Sequence, residues 1–144
     1  MPQRNNKPRT AIKPPAGKTA VNNGTNSGNW LCNGRRMAKG GGKCGLNSFS
    51  CRARDHALAA DIATEFGVKA KYVSADMSKG DDCRRLIADA GACDILINNA
   101  GIQHVAPIED FPAAKWDAII AINMSSAFHT TAAALPVMRA AGWG

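Results

Sequence analysis

Between residues 53 and 66 the chain reads ARDHALAADIATEF, and its apolar positions recur at helical spacing. Leu58, Ile62 and Phe66 lie four apart, with Ala59 and Ala63 beside them. A single stripe of that kind predicts an amphipathic helix laid on a core, closed by Gly67 as its C-cap. Residues 68–74, VKAKYVS, switch to period two, with Val68, Ala70 and Tyr72 on one face, and predict a strand. Ser78 stands where an N-cap belongs, with Asp81 three residues on. The helix it opens, over 79–92, buries Leu86, Ile87 and Ala90. DILIN at 94–98 reads as a short strand apolar enough to be buried on both faces. Pro112 then occupies a first helical position, and an apolar helix runs from there to Gly142.

The first third carries weaker signals of the same alternation. GKTAV predicts a strand at 18–22, TAVNNGTNSGNW a polar, glycine-bearing loop, and LCNGRRMAKGGGK a helix at about 28–39 with Gly34 inside it. A further strand is expected near 43–47. Strand and helix in strict alternation predict an α/β fold, a parallel sheet of about four strands wound by helices on both faces. Ligands of such sheets lie beyond the carboxyl ends of the strands. Gly24 to Gly28, Asp76 and Asn98 to Gly101 all fall there.

Composition changes this picture at one end only. Residues 1–16, MPQRNNKPRTAIKPPA, hold four prolines and no periodicity, which predicts a disordered basic tail ahead of a domain over 17–144. Residues 1–50 carry nine Lys and Arg and no acid, while residues 51–144 carry nine against eleven acids. Such asymmetry is found in nucleic-acid-binding arms, but no aromatic residues interleave with these charges, so a solvated tail is the favoured reading and nucleic acid ranks last. The five cysteines form no Cys-x-x-Cys pair and the three histidines are scattered, which argues for reduced thiols and no metal site. No stretch approaches about 18 continuous apolar residues and no signal-peptide pattern opens the chain. A cytoplasmic protein without membrane attachment is expected.

DILINNAG, with Asp76 upstream and Asn123 downstream, resembles the short-chain dehydrogenase/reductase family. Residues 94–144 are similar in particular to its bacterial D-3-hydroxybutyrate dehydrogenases, and the likeness extends more weakly back to Gly17. The resemblance implies an incomplete Rossmann-type doubly wound domain. It also implies NAD as cofactor, with NADP left open, and a 3-hydroxy acid or ketone as substrate of a full-length relative. In that family the first loop reads Thr-Gly-x-x-x-Gly-x-Gly and holds the pyrophosphate. Here Gly24 and Gly28 match its first two glycines, with Asn26 and Asn29 in the same loop, Asn23 in the Thr place and Trp30 in that of the third glycine. An indole there should push the following helix away, and Asn22 and Asn23 each cost about 1–3 kcal/mol in a central strand if unpaired.

The same resemblance assigns Asp76, with Met77 beside it, to the adenine amino group. It places Phe49 near the adenine ring, Asn99, Ala100 and Gly101 beside the ribose, and Ile122 on the cofactor. A turn or capping acid is an equal reading of Asp76. Ser48 stands where NAD-preferring members often keep an acid, and Arg52 and Arg54 lie close by. Asn123 resembles the catalytic Asn, which holds a water from an irregular point in its helix, and Gln103 resembles a residue that binds the substrate carboxylate. The Ser, Tyr and Lys that complete the family's acid/base chemistry find no match. The one tyrosine, Tyr72, lies in a strand, with Asp76 rather than Lys four residues on. The expectation is a truncated chain without activity of its own. The alternative is a nucleotide-binding or association fragment, with helix 112–141 as a homo-oligomer contact.

Overall fold

A computed structural model describes residues 16–24, 29–48 and 53–144. Four strands form one parallel sheet: β1 (Thr19–Asn22), β2 (Lys43–Ser48), β3 (Ala70–Ser74) and β4 (Ile95–Ile97), in the order β3-β2-β1-β4. Between them run α1 (Asn29–Lys39), α2 (Ala53–Phe66) and α3 (Gly80–Ala90). Beyond β4 come a 3-10 turn (Ile108–Asp110), α4 (Ala113–Ile120), a π-type turn (Ala121–Ser125) and α5 (Ser126–Ala140). The chain is an α/β doubly wound domain, as the alternation predicts. Winding starts at β1, moves outward through β2 to β3, then returns to place β4 on the other side. The switch point therefore lies between β1 and β4, and sheets of this kind bind their ligands at such a point, beyond the carboxyl ends of the strands.

Two cores cover the two faces of the sheet. Ala59, Ile62, Leu46, Cys44 and Tyr72 meet on the α1 and α2 side, with Leu58, Phe66, Val68 and Ala70 packed against them. On the other side Val21, Val73, Leu86, Ile87, Cys83 and Cys93 meet Ala134 of α5. The stripe over 53–66 and the alternation over 68–74 thus point where their spacing says.

Three local expectations are corrected. Ser78 does not cap α3: the N-cap position is Lys79, with no side-chain cap hydrogen bond. The Ser78 hydroxyl instead donates to Asp76 Oδ1 at 2.7 Å. Asp82, not Asp81, takes the return bond, accepting the Asp76 N–H at 2.8 Å. β4 is half-buried along its length rather than buried on both faces, because it stands at the edge of the sheet in the described residues. The helical run Ala113–Ala140 has the length and the mean hydropathy, 1.3, of a membrane-crossing segment, although no continuous apolar stretch marks it in the sequence. Ser126, Thr130 and Ala134 nonetheless turn inward onto the domain.

Candidate active site at the β1–β4 crevice

β1 ends in Asn22, Asn23 and Gly24, and the side chain of Asn23 ties the two lips of the crevice together. It is fully buried. Its Oδ1 accepts the backbone N–H groups of Asn99 at 2.7 Å and Ala100 at 2.8 Å, and its Nδ2 donates to Asn98 Oδ1 at 2.8 Å. Asn98 continues the network to α5: its Oδ1 also accepts from the Thr130 hydroxyl at 2.7 Å, and its Nδ2 donates to Thr131 Oγ1 at 3.3 Å. Asn99 Nδ2 closes the circle on the Gly24 carbonyl at 3.0 Å. A network this fully satisfied holds its members rigidly.

Gly24 is required by geometry twice over. Its φ is +76°, in the left-handed region that favours glycine. A methyl carbon on it would also stand 2.6 Å from the Ala100 nitrogen. From the far side Asn47, fully buried in β2, donates from Nδ2 to the carbonyls of Val73 at 3.0 Å and Ala75 at 3.2 Å. Its Oδ1 lies 3.4 Å from the Gly24 nitrogen. Three strand ends are thereby fixed around the start of one loop. Asn26, Gly28 and Phe49 lie outside the described residues, as do the side chains of Asn29 and Trp30.

Asp76 sits beyond β3, its Oδ1 accepting both the N–H and the hydroxyl of Ser78 at 2.9 and 2.7 Å, with the Lys79 ammonium 3.6 Å from Oδ2. It is thus a turn acid by structure, and its carboxylate keeps acceptor capacity beyond those bonds. The side chain of Met77 belongs to the core, and Ile122 packs against that core. Asn123 lies within the π-type turn that separates α4 from α5. Its amide brackets the Ile102 peptide, Oδ1 accepting the N–H at 2.9 Å and Nδ2 donating to the carbonyl at 3.0 Å. Gly101 is beside it, its Cα open toward the Asn123 carboxamide. The structure thus gathers Gly24, Asn99, Ala100, Gly101 and Asn123 around one crevice. Gln103 is exposed one residue beyond Ile102, and Asp76 stands apart at the β3 end.

Sequence reasoning missed Asn47 and Thr130 as positioning residues. The available signal was polarity out of place: Asn47 interrupts a buried strand, and Thr130 lies on the inward stripe of an apolar helix. The described cysteines, Cys44, Cys83 and Cys93, are buried and free. Burial pushes the thiols of Cys44 and Cys93 up to about 11. Among the described residues no three His, Cys, Asp or Glu groups converge as metal ligands.

The short chain dehydrogenase family model matches residues 19–144. The chain belongs to the short-chain dehydrogenase family. D-beta-hydroxybutyrate dehydrogenase of Cupriavidus necator is 48% identical over 132 residues, covering 89% of this chain and 50% of that protein. The enzyme of the same name from Rhizobium meliloti is 42% identical, over 88% of this chain and 51% of its own. Among solved structures, an NADH-dependent reductase complexed with NAD superposes with a TM-score of 0.81 at 28% identity, over 88% of this chain and 54% of that one. L-Sorbose reductase from Gluconobacter frateurii, complexed with NADPH and L-sorbose, gives 0.82 at 27%, over 88% and 49%. The chain spans about half the length of the relatives it matches.

Proposed function

We propose that this chain forms the nucleotide half of an NAD-dependent short-chain oxidoreductase acting on D-3-hydroxybutyrate or a close 3-hydroxy acid, and that these 144 residues bind the nucleotide without turning substrate over. The observation that carries the reading is Gly24. It is a left-handed residue pressed on Ala100 at the topological switch point, opening the loop that leads to the α1 N-terminus. The first-turn N–H groups of a helix with no acidic residue in that turn would favour the pyrophosphate of a nicotinamide dinucleotide, which supports this reading. When bound, the cofactor would accept a hydride at nicotinamide C4. Residues 98–101 would shape the ribose side, Asp76 would accept from the adenine amino group, and Asn123 would hold a water from its distorted helix turn. Gln103, exposed beyond Ile102, would meet the substrate carboxylate.

The proposed lack of turnover is supported by Tyr72. Its hydroxyl is buried in β3, 2.7 Å from Ser48 Oγ, so the chain's one phenol does not reach the crevice to act as acid or base. NADH titration followed by tryptophan quenching tests the binding half. Saturable binding that weakens at least tenfold in Asp76→Ala supports it, and no binding by a folded sample overturns it.

A second reading, association through α4 and α5, is favoured by one specific observation. Trp116, Met124 and Phe128 are each more than half exposed along that helical run. Sedimentation at micromolar concentration decides it: a strictly monomeric species excludes association.

A further inference from the structure

Reductases complexed with NAD and with NADPH share this fold, so the backbone leaves the choice between the two cofactors to side chains. The dinucleotides differ at the adenosine ribose, which carries a 2′-hydroxyl in NAD and a 2′-phosphate in NADP. In doubly wound sheets that ribose falls at the carboxyl end of the second strand, where an acid accepts from the hydroxyl. Here β2 ends in a serine, Ser48. Asn47, one residue earlier, reaches the Gly24 nitrogen at 3.4 Å, so the end of β2 borders the glycine loop.

An acid comes to this point from another element. Asp55, in the first turn of α2, accepts the Ser48 hydroxyl on Oδ2 at 2.9 Å. A serine hydroxyl has one proton to give. With that proton on the Asp55 bond, the 2.7 Å contact between Ser48 Oγ and the Tyr72 hydroxyl runs the other way, and the phenol donates. The same phenol reaches the Ser48 carbonyl at 3.2 Å. Ser48 and Tyr72 are buried, and the His56 ring packs edge-on against Tyr72 at 4.8 Å between centroids. A directed chain from Tyr72 through Ser48 therefore ends on the Asp55 carboxylate, which is half-buried at the strand end. An acid in a first helical turn also suits the helix dipole. That role needs no tether to a neighbouring strand, and Asp55 has one built from two buried hydroxyls.

We propose that Asp55 selects NAD over NADP, by accepting a hydrogen bond from the ribose 2′-hydroxyl and repelling a 2′-phosphate, with Ser48 and Tyr72 as its positioning residues. The assignment rests on the nucleotide-binding reading given above. A carboxylate accepts on both of its oxygens, so the Ser48 bond and a ribose bond are compatible. A phosphate brings like charge to the same place, and like charges set together cost affinity.

The test is a parallel titration of the full chain with NADH and NADPH, followed by tryptophan quenching. The parent chain should hold NADH at least about tenfold more tightly than NADPH. In Asp55→Asn, which keeps the size and removes the charge, the two affinities should come within about threefold of each other. A role confined to the end of α2 would weaken both nucleotides alike and leave their ratio unmoved. Ser48→Ala, which releases the carboxylate but keeps its charge, should lower the ratio with an unchanged circular dichroism spectrum. That variant carries the test if Asp55→Asn does not fold. Asp61→Asn, further along α2, should leave the ratio as it is. Equal affinities in the parent chain overturn the proposal, as do a preference for NADPH and a ratio that survives both site variants. Absence of NADH binding by a folded parent chain overturns the nucleotide reading and this assignment with it. NADH binding with an unmoved ratio strikes the role of Asp55 alone.

Discussion

The Asn22 side chain is buried in β1, and neither its Nδ2 nor its Oδ1 meets a partner among the described residues. Asn23, its neighbour, satisfies both ends of its amide with three bonds. The sequence presents the two as equal burdens, and only the contacts separate them. Asn22→Val should therefore stabilise the fold by about 1–2 kcal/mol, read as a higher urea midpoint at unchanged slope. Gly24→Ala should do the reverse: the left-handed backbone alone costs about 1–2 kcal/mol, and the contact with Ala100 forces the crevice lips apart. The expected readout is loss of NADH quenching beyond the loss of stability.

Asp94 supplies a pH prediction at the same scale. The Thr19 N–H and then the Lys18 ammonium hold its carboxyl below the usual range, with Lys43 adding to the field. A carboxyl depressed in the folded state stabilises above its unfolded pKa of about 4 and loses that contribution as pH falls through the lower folded value. Asp94→Asn should thus cost about 1.5–3 kcal/mol at pH 7. The gap from the parent chain should close on acidification below about pH 4, in thermal melts taken across that range.

At the scale of elements, α3 shows how local chemistry is reassigned by its surroundings. Ser78 ahead of it and Asp81 in its first turn stand at capping-box spacing, yet the Ser78 hydroxyl turns back to Asp76 and Asp82 closes the turn instead. Donating to the Asp76 carboxylate two residues back fixes the Ser78 side chain toward that turn, and the N-cap position falls to Lys79. The turn at Ala121–Ser125 is a second case. Residues 112–141 read as one continuous helix, and the helix does continue, but one turn widens where the Asn123 side chain brackets the Ile102 peptide. Asn123→Ala should leave the helix content intact while releasing residues 101–110. Faster amide exchange at Ile102 is the measurement, with no change expected in α3.

For the whole molecule, β4 stands half-buried at the sheet edge among the described residues, and the α4–α5 run leaves Trp116, Met124 and Phe128 more than half exposed. An unpaired strand edge beside apolar surface is a template for association. Trp116→Arg combined with Phe128→Glu should lower any self-association constant by more than tenfold in sedimentation. The α/β class, the order of the elements and both helix stripes were legible before any coordinates. The sharing of Asn23 between two loops was not, since its partners lie 75 to 77 residues away in sequence.

The sequence by itself determined where helices and strands form and which of their faces are apolar, because side-chain period and turn chemistry act within a few residues. It also placed the crevice residues at strand ends, since a parallel alternating fold leaves few other places for them. Only the tertiary structure decided which polar side chains are satisfied, that β4 stands at an edge, and that Tyr72 meets Ser48 from the neighbouring strand. Those outcomes depend on strand order and register, which bring together residues whose separation along the chain carries no local signal.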